Sequence, residues 1–144
     1  MKLYVIGSLR NPDIPTFSQS LRQLGIEVFD DWFAAGPEAD DKWRDYEIAR
    51  GRSYVEALEG LAAQHVFAFD RHHIADSDAV VLINPAGRSG YLELGWALGK
   101  GKPGYIVLDP TKEVRYDVML QFATKVFANK EAFISWVGQS LVRA

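Results

Sequence analysis

The chain has 144 residues, about the size of one domain, and its 48% apolar and 24% charged residues are ordinary globular composition. A net charge of −3 offers no basic footprint for a nucleic-acid polymer and no polybasic membrane patch, and the absence of cysteine excludes disulfides, thiolate metal sites and cysteine nucleophiles. "MKLYVIGS" is too short for a secretory apolar region and no other run approaches membrane-spanning length, so the expectation is a cytoplasmic protein with one domain over 1–144.

"KLYVIG" (2–7) reads as a buried strand closed by a Gly-Ser turn. Pro12 and Pro15 mark a loop, and "TFSQSLRQLG" (16–25) places Phe17, Leu21 and Leu24 at helical spacing with Gly25 as the stop. "IEVFDDW" (26–32) is a second strand. Strand, helix and strand within about thirty residues predict a βαβ unit and a parallel sheet.

The segment 37–77 is charged, aromatic and helical in character, too long for a simple crossover, and reads as a two-helix insertion ending near Ala75. "DAVVLIN" (78–84) has the continuous apolar character of a central parallel strand. A helix over 90–100 follows, then Gly101 and Pro103, a strand "GYIVLD" (104–109), a short strand at "TKVFAN" (124–129) and an amphipathic helix over 130–142. The fold class is therefore α/β: a three-layer α/β/α sandwich, flavodoxin- or Rossmann-like, with four or five parallel strands. Such sheets bind ligands outside the carboxyl ends of their strands, where strand order reverses, which selects the loops after residues 7, 30, 84 and 109.

Glu93 lies just beyond the third of these loops. With Gly90 as N-cap it would occupy N3, where an acid bonds back to the backbone and meets the positive end of the helix. The same place suits a nucleophile: Gly87 and Gly90 let backbone approach a ligand, and a helix N-terminus is expected to hold the carboxylate depressed and anionic. Capping and attack both fit the residues alone.

"LYVIGSLR", "FDRHHIADSDAVVLIN" and "SGYLELGWALGKGKP" together resemble the nucleoside 2-deoxyribosyltransferase-like superfamily, nearest its nucleoside 5′-monophosphate N-glycosidase branch. The resemblance covers about two fifths of the chain. It implies that Glu93 attacks the anomeric carbon, that Asp70, eight residues before Asp78, contacts the sugar or assists departure of the base, and that Tyr4 holds the nucleophile. Taken singly, Asp70 also fits a solvated acid near a helix end, and Tyr4 a core aromatic. Two carboxylates suit retaining glycosyl transfer through an oxocarbenium-like transition state. No cofactor is implied.

"GSLRN" (7–11) forms a turn able to cradle an anion, and Gly7, Ser8 and Arg10 match the branch's phosphate ligands, with Ser89 adding a donor at the next helix start. The plain alternative is a turn with a surface arginine. Gly87 stands where the branch would place a serine, and Arg88 is an additional cation. Trp32 and Phe33 can stack on a base, as can Trp43 and Tyr46, or serve as core or subunit contact.

His72 and His73 invite a metal reading, but adjacent helical residues diverge by about 100° and cannot easily share one ion, so no metal is expected. The glycines match neither a Walker loop nor a dinucleotide fingerprint. The reading is an enzyme that cleaves the N-glycosidic bond of a nucleoside or (deoxy)nucleoside 5′-monophosphate and passes the sugar to water or to another base. The alternative is a non-catalytic nucleotide-binding sensor on the same fold; cleavage of a nicotinamide-type dinucleotide is a third. Relatives work as homodimers or higher homo-oligomers. The last helix, with Phe133, Trp136 and Val137, offers either a contact face for this or a surface that packs back on the sheet.

Overall fold

The computed structural model describes residues 1–141. Five parallel strands, β1 (Lys2–Ile6), β2 (Glu27–Phe29), β3 (Ala79–Ile83), β4 (Gly104–Val107) and β5 (Lys125–Phe127), form one sheet in the order β2-β1-β3-β4-β5. The order reverses between β1 and β3, so the crevice lies beyond Ile6 and Ile83. This is the α/β/α sandwich that the apolar runs predict.

Side-chain alternation along the strands builds two cores. Leu3 and Val5 join Val81, Ile83, Phe17, Leu21, Phe133 and Val137 beneath helices α1 (Ile14–Arg22) and α6 (Lys130–Ser140). Tyr4 and Ile6 join Phe29, Val80, Leu82, Ile74, Leu94 and Ala97 beneath α4 (Leu61–Ala75) and α5 (Arg88–Gly99). Helix α6 packs back on the sheet: Phe133 and Val137 are fully buried, so they are not the contact face. The predicted end of that helix at Val142 lies outside the described residues.

Several boundaries move, each for a local reason. Helix α1 begins at Ile14 because Pro15 has the fixed φ and missing N–H that a first helical turn tolerates. Strand β2 stops at Phe29 and a 3-10 turn, Asp31–Ala35, follows. The insertion holds three helices rather than two. Helix α2 (Ala39–Ala49) ends before Gly51, whose φ of 75° a side chain would strain. Ser53 and Glu56 then form a capping box that starts α3 (Tyr54–Leu58), and α4 follows, ending at Ala75. A further 3-10 turn, Val118–Phe122, lies between β4 and β5 and has no counterpart in the predicted elements. Among the described residues no helix is long and apolar enough to cross a membrane.

Candidate active site

Helix α5 starts at Arg88 with Gly87 as N-cap, so Glu93 is its sixth residue and not N3. It lies past the first turn, whose free N–H groups carry the positive end of the helix. Gly90, Leu94 and Ala97 face the sheet and are buried, and Glu93 sits at their flank, half-buried. The expected depressed pKa is therefore wrong. Burial, and then the neighbouring Asp70 carboxylate, push Glu93 from its ordinary 4.5 up to about 7, while hydrogen bonding with the Tyr4 hydroxyl opposes the rise.

The three residues singled out as catalytic come from three elements: Tyr4 from β1, Asp70 from α4 and Glu93 from α5. Tyr4 is 1% exposed, and its phenol is held well above the usual tyrosine range by burial first, then by the charges of Glu93 and Asp70. Asp70 is half-buried, and burial raises it to about 6. Tyr4 stacks on Phe29 at 5.3 Å, and Phe29 stacks on His73 at 4.0 Å. This column fixes the β1 tyrosine against the helix that carries Asp70. Phe29 stands in no motif of the sequence, and His73, which the sequence offers only as a metal ligand, lies three residues after Asp70 on the same helical face. Next to it His72 is exposed, its ring edge-on to that of His73 at 5.0 Å.

Beyond the strand ends lies a polar cleft of about 390 Å³, lined by Ser8, Arg10, Gly87, Asp109, Thr111 and Lys112 among others. Ser8 Oγ accepts a hydrogen bond from the Arg10 backbone N–H at 3.1 Å, which folds the turn after β1. The Arg10 guanidinium donates to Asp41 of α2 at 2.9 Å, both side chains being exposed, so the insertion holds the cation that the sequence assigns to an anion. A Cβ at Gly7 would lie 2.7 Å from Ile14 Cδ1, so that side-chain tip would have to shift. Gly90 similarly lies against Ile6 and Ala86, so its smallness serves helix–sheet packing. Ser89 is exposed on the first turn of α5. Lys112 and Thr111 were not singled out, although the strand-end rule had selected their loop, after residue 109.

Trp32 donates from Nε1 to the Val5 carbonyl at 2.7 Å and packs against both cores. Phe33 packs against the α1–α6 core and meets Trp32 edge-on at 6.0 Å. Both have structural contacts at the carboxyl end of β1. A second cleft of about 540 Å³ lies along the flank of α5 that carries Tyr91, Gly95 and Leu98. Neither cleft is lined by Glu93, Tyr4 or Asp70. The three candidate residues sit on the α4 side of α5, and the larger apolar space on the other.

No protein-family model and no curated protein matches this sequence. Solved structures do. The 2-deoxyribosyltransferase of the psychrotolerant bacterium Bacillus psychrosaccharolyticus is similar with a TM-score of 0.61 and 21% identity, over 93% of this chain and 90% of that one. The fold is that of a deoxyribosyltransferase. The CMP N-glycosidase BcmB of Clostridium botulinum shares it with a TM-score of 0.57 and 12% identity, over 95% of this chain and 98% of that one. These two represent the superfamily and the branch that the strand-end motifs resemble. The IL-17 receptor B SEFIR domain is also similar, with a TM-score of 0.55 and 14% identity over 99% of this chain and 95% of that one. At these identities the likeness concerns the fold, and function must be argued from the site.

Proposed function

We propose that this protein cleaves the N-glycosidic bond of a nucleoside or nucleoside 5′-monophosphate through a covalent glycosyl–Glu93 intermediate. The observation that carries this reading is the placement of Glu93, half-buried near the Tyr4 hydroxyl and the Asp70 carboxyl, on the helix that follows β3. A helix cap needs neither burial nor a second acid.

In the reaction, a Glu93 carboxylate oxygen bonds to the anomeric carbon as the C–N bond breaks, and the electron pair leaves with the base. Asp70 in its neutral form gives the departing base a proton, which its raised pKa makes available near neutrality. Tyr4 donates to Glu93 and orients it. Water, or a second base, then attacks the sugar carbon from the opposite face. Asp70 accepts the proton released, and the Glu93 carboxylate is restored. Water makes the protein a hydrolase and a base makes it a transferase.

Ser8, Arg10, Gly87 and Ser89 form the 5′-phosphate end of the site, supported by the convergence of Ser8, Arg10 and Gly87 on the polar cleft. Trp32 and Phe33 are the aromatic residues proposed to contact the base. The protein acts as a homodimer or higher homo-oligomer. This is supported by α4, whose segment Leu61–Phe69 has no Asp, Glu, Lys or Arg and exposes Leu61, Val66 and Phe67, each by more than half. A helix that is apolar on more than one face calls for cover on more than one face.

The test is incubation with ribo- and deoxyribonucleosides and their 5′-monophosphates, with free base followed by chromatography and an acceptor base present or absent. Base release that disappears in Glu93→Ala supports the reading, and base exchange identifies a transferase. Nucleotide binding with no release from any substrate overturns it in favour of the non-catalytic sensor.

A further inference from the structure

The two clefts adjoin. Pro85, Ala86, Asp109 and Lys112 line both, so the polar cleft at the start of α5 borders the larger apolar one. Glu93 and Tyr91 are two residues apart on α5 and therefore point about 160° away from each other around the helix axis. A ligand engaging both flanks has to pass round the N-terminus of α5, and the polar cleft is what lies there. Gly87, in that cleft, is six residues and about 9 Å of helix rise from Glu93, a span suited to a 5′-phosphate and a sugar.

A mononucleotide would use the Glu93 flank and the polar cleft and leave the apolar cleft without an occupant. Yet the apolar cleft is the larger of the two, and its 540 Å³ alone is enough for a small-molecule site. Its floor is Leu94, Leu98, Ile106 and Leu120; Asn84 and Tyr91 provide a hydrogen-bonded polar pair at 3.1 Å; Lys112 and Arg115 stand at the rim with Asp109, Glu113 and Asp117. Asp109 and Asp117 are engaged by their own turns, accepting from Thr111 and Met119. A flat, largely apolar ring with hydrogen-bonding edges fits such a lining, and Lys112 at the junction suits a phosphate that joins it to the rest of the ligand.

We propose that the substrate is a nucleotide whose 5′-phosphate carries a second, ring-bearing group, as in a dinucleoside diphosphate. The phosphate bridge lies over the polar cleft and the second ring in the apolar one. This rests on the glycosidic reading and extends it to the substrate class. The bond cleaved is still the C–N bond at the sugar facing Glu93, and the phosphate bridge stays intact in the product.

The experiment measures kcat/KM for base release from the 5′-monophosphates of adenine, guanine, cytosine and uracil ribonucleosides and from their symmetric 5′,5′-dinucleoside diphosphates, together with nicotinamide mononucleotide and oxidised nicotinamide–adenine dinucleotide. For the preferred base, the bridged compound is expected to exceed the monophosphate by about tenfold or more. Gly95→Phe fills the apolar cleft without a backbone clash, since a Cβ at Gly95 meets nothing within 4 Å. It is expected to reduce the bridged-to-monophosphate ratio by about tenfold, with circular dichroism confirming the fold. Monophosphates cleaved as well as their bridged counterparts, or a preference that survives Gly95→Phe, would overturn the extension and leave the glycosidic reading standing. Release from none of these compounds, nor from the free nucleosides, overturns both.

Discussion

Replacing Glu93 with glutamine is expected to stabilise the protein, and only at the alkaline end of its range. Burial and Asp70 raise Glu93 from 4.5 to about 7, so between these values the folded protein binds more protons than the unfolded chain. Stability contributed by this group is therefore present at low pH, declines as pH rises through that window, and stays at its lower level above it. The rise from 4.5 to about 7 corresponds to about 3 kcal/mol at most. The substituted amide keeps the shape and an acceptor for the Tyr4 hydroxyl while removing the charge. Urea unfolding of both proteins is expected to give nearly equal free energies near about pH 4 and an advantage of up to about 3 kcal/mol for Glu93→Gln near about pH 8. A constant difference across the range, or a Glu93→Gln protein less stable at the alkaline end, would refute the account of a buried, disfavoured carboxylate.

The same pair governs the rate. In the proposed reaction attack needs Glu93 ionised and departure of the base needs Asp70 protonated; values of about 7 and about 6 leave one proton on the pair between them, mainly on Glu93, so the productive form is the minor tautomer of the singly protonated pair. Base release is expected to follow a bell in pH with its maximum between about 6 and 7, and Asp70→Asn to remove the alkaline limb; kcat/KM profiles check this. In the insertion, Glu47 is 2% exposed and ion-paired with Arg50 at 3.5 Å and Arg52 at 3.1 Å. Arg52→Ala is expected to cost about 2 kcal/mol in chemical denaturation, because a buried acid loses its closer partner while Arg50 remains. Phe67→Glu places a charge on the apolar face of α4 and is expected to shift the protein to monomer in sedimentation at micromolar concentration, with thermal unfolding of the monomer little altered.

Those elements that could be read from the sequence are the ones that local chemistry determines. Val80, Val81 and Leu82 form an unbroken apolar run because a central parallel strand is covered on both faces, and their positions in β3 match the reading. Glu93, Asp70 and Tyr4 stand in motifs visible in the sequence, and Glu93 and Asp70 lie near enough to Tyr4 to raise its pKa. Their electrostatics were not legible. Whether Glu93 meets helix N–H groups or a buried phenol depends on a start at Arg88 rather than beyond Gly90, a shift of one turn that reverses the sign of its pKa change. The pairing of Arg10 with Asp41 links residues 31 positions apart and leaves no trace in either local sequence. The apolar cleft escaped notice because it is assembled from α5, β4 and the irregular segment 109–123, none of which shows a cavity by itself.

The β1–β3 pairing at the middle of the sheet joins Lys2 to Asp78, 76 positions along the chain. No strand register can form there until that long loop closes, and local helix formation in α2, α3 and α4 shortens the effective distance before closure. Loop-closure cost grows only with the logarithm of length, about 0.6 kcal/mol for each doubling. Changes in the length of the segment between β2 and α4 therefore alter the closure cost of the β1–β3 pairing by well under about 1 kcal/mol.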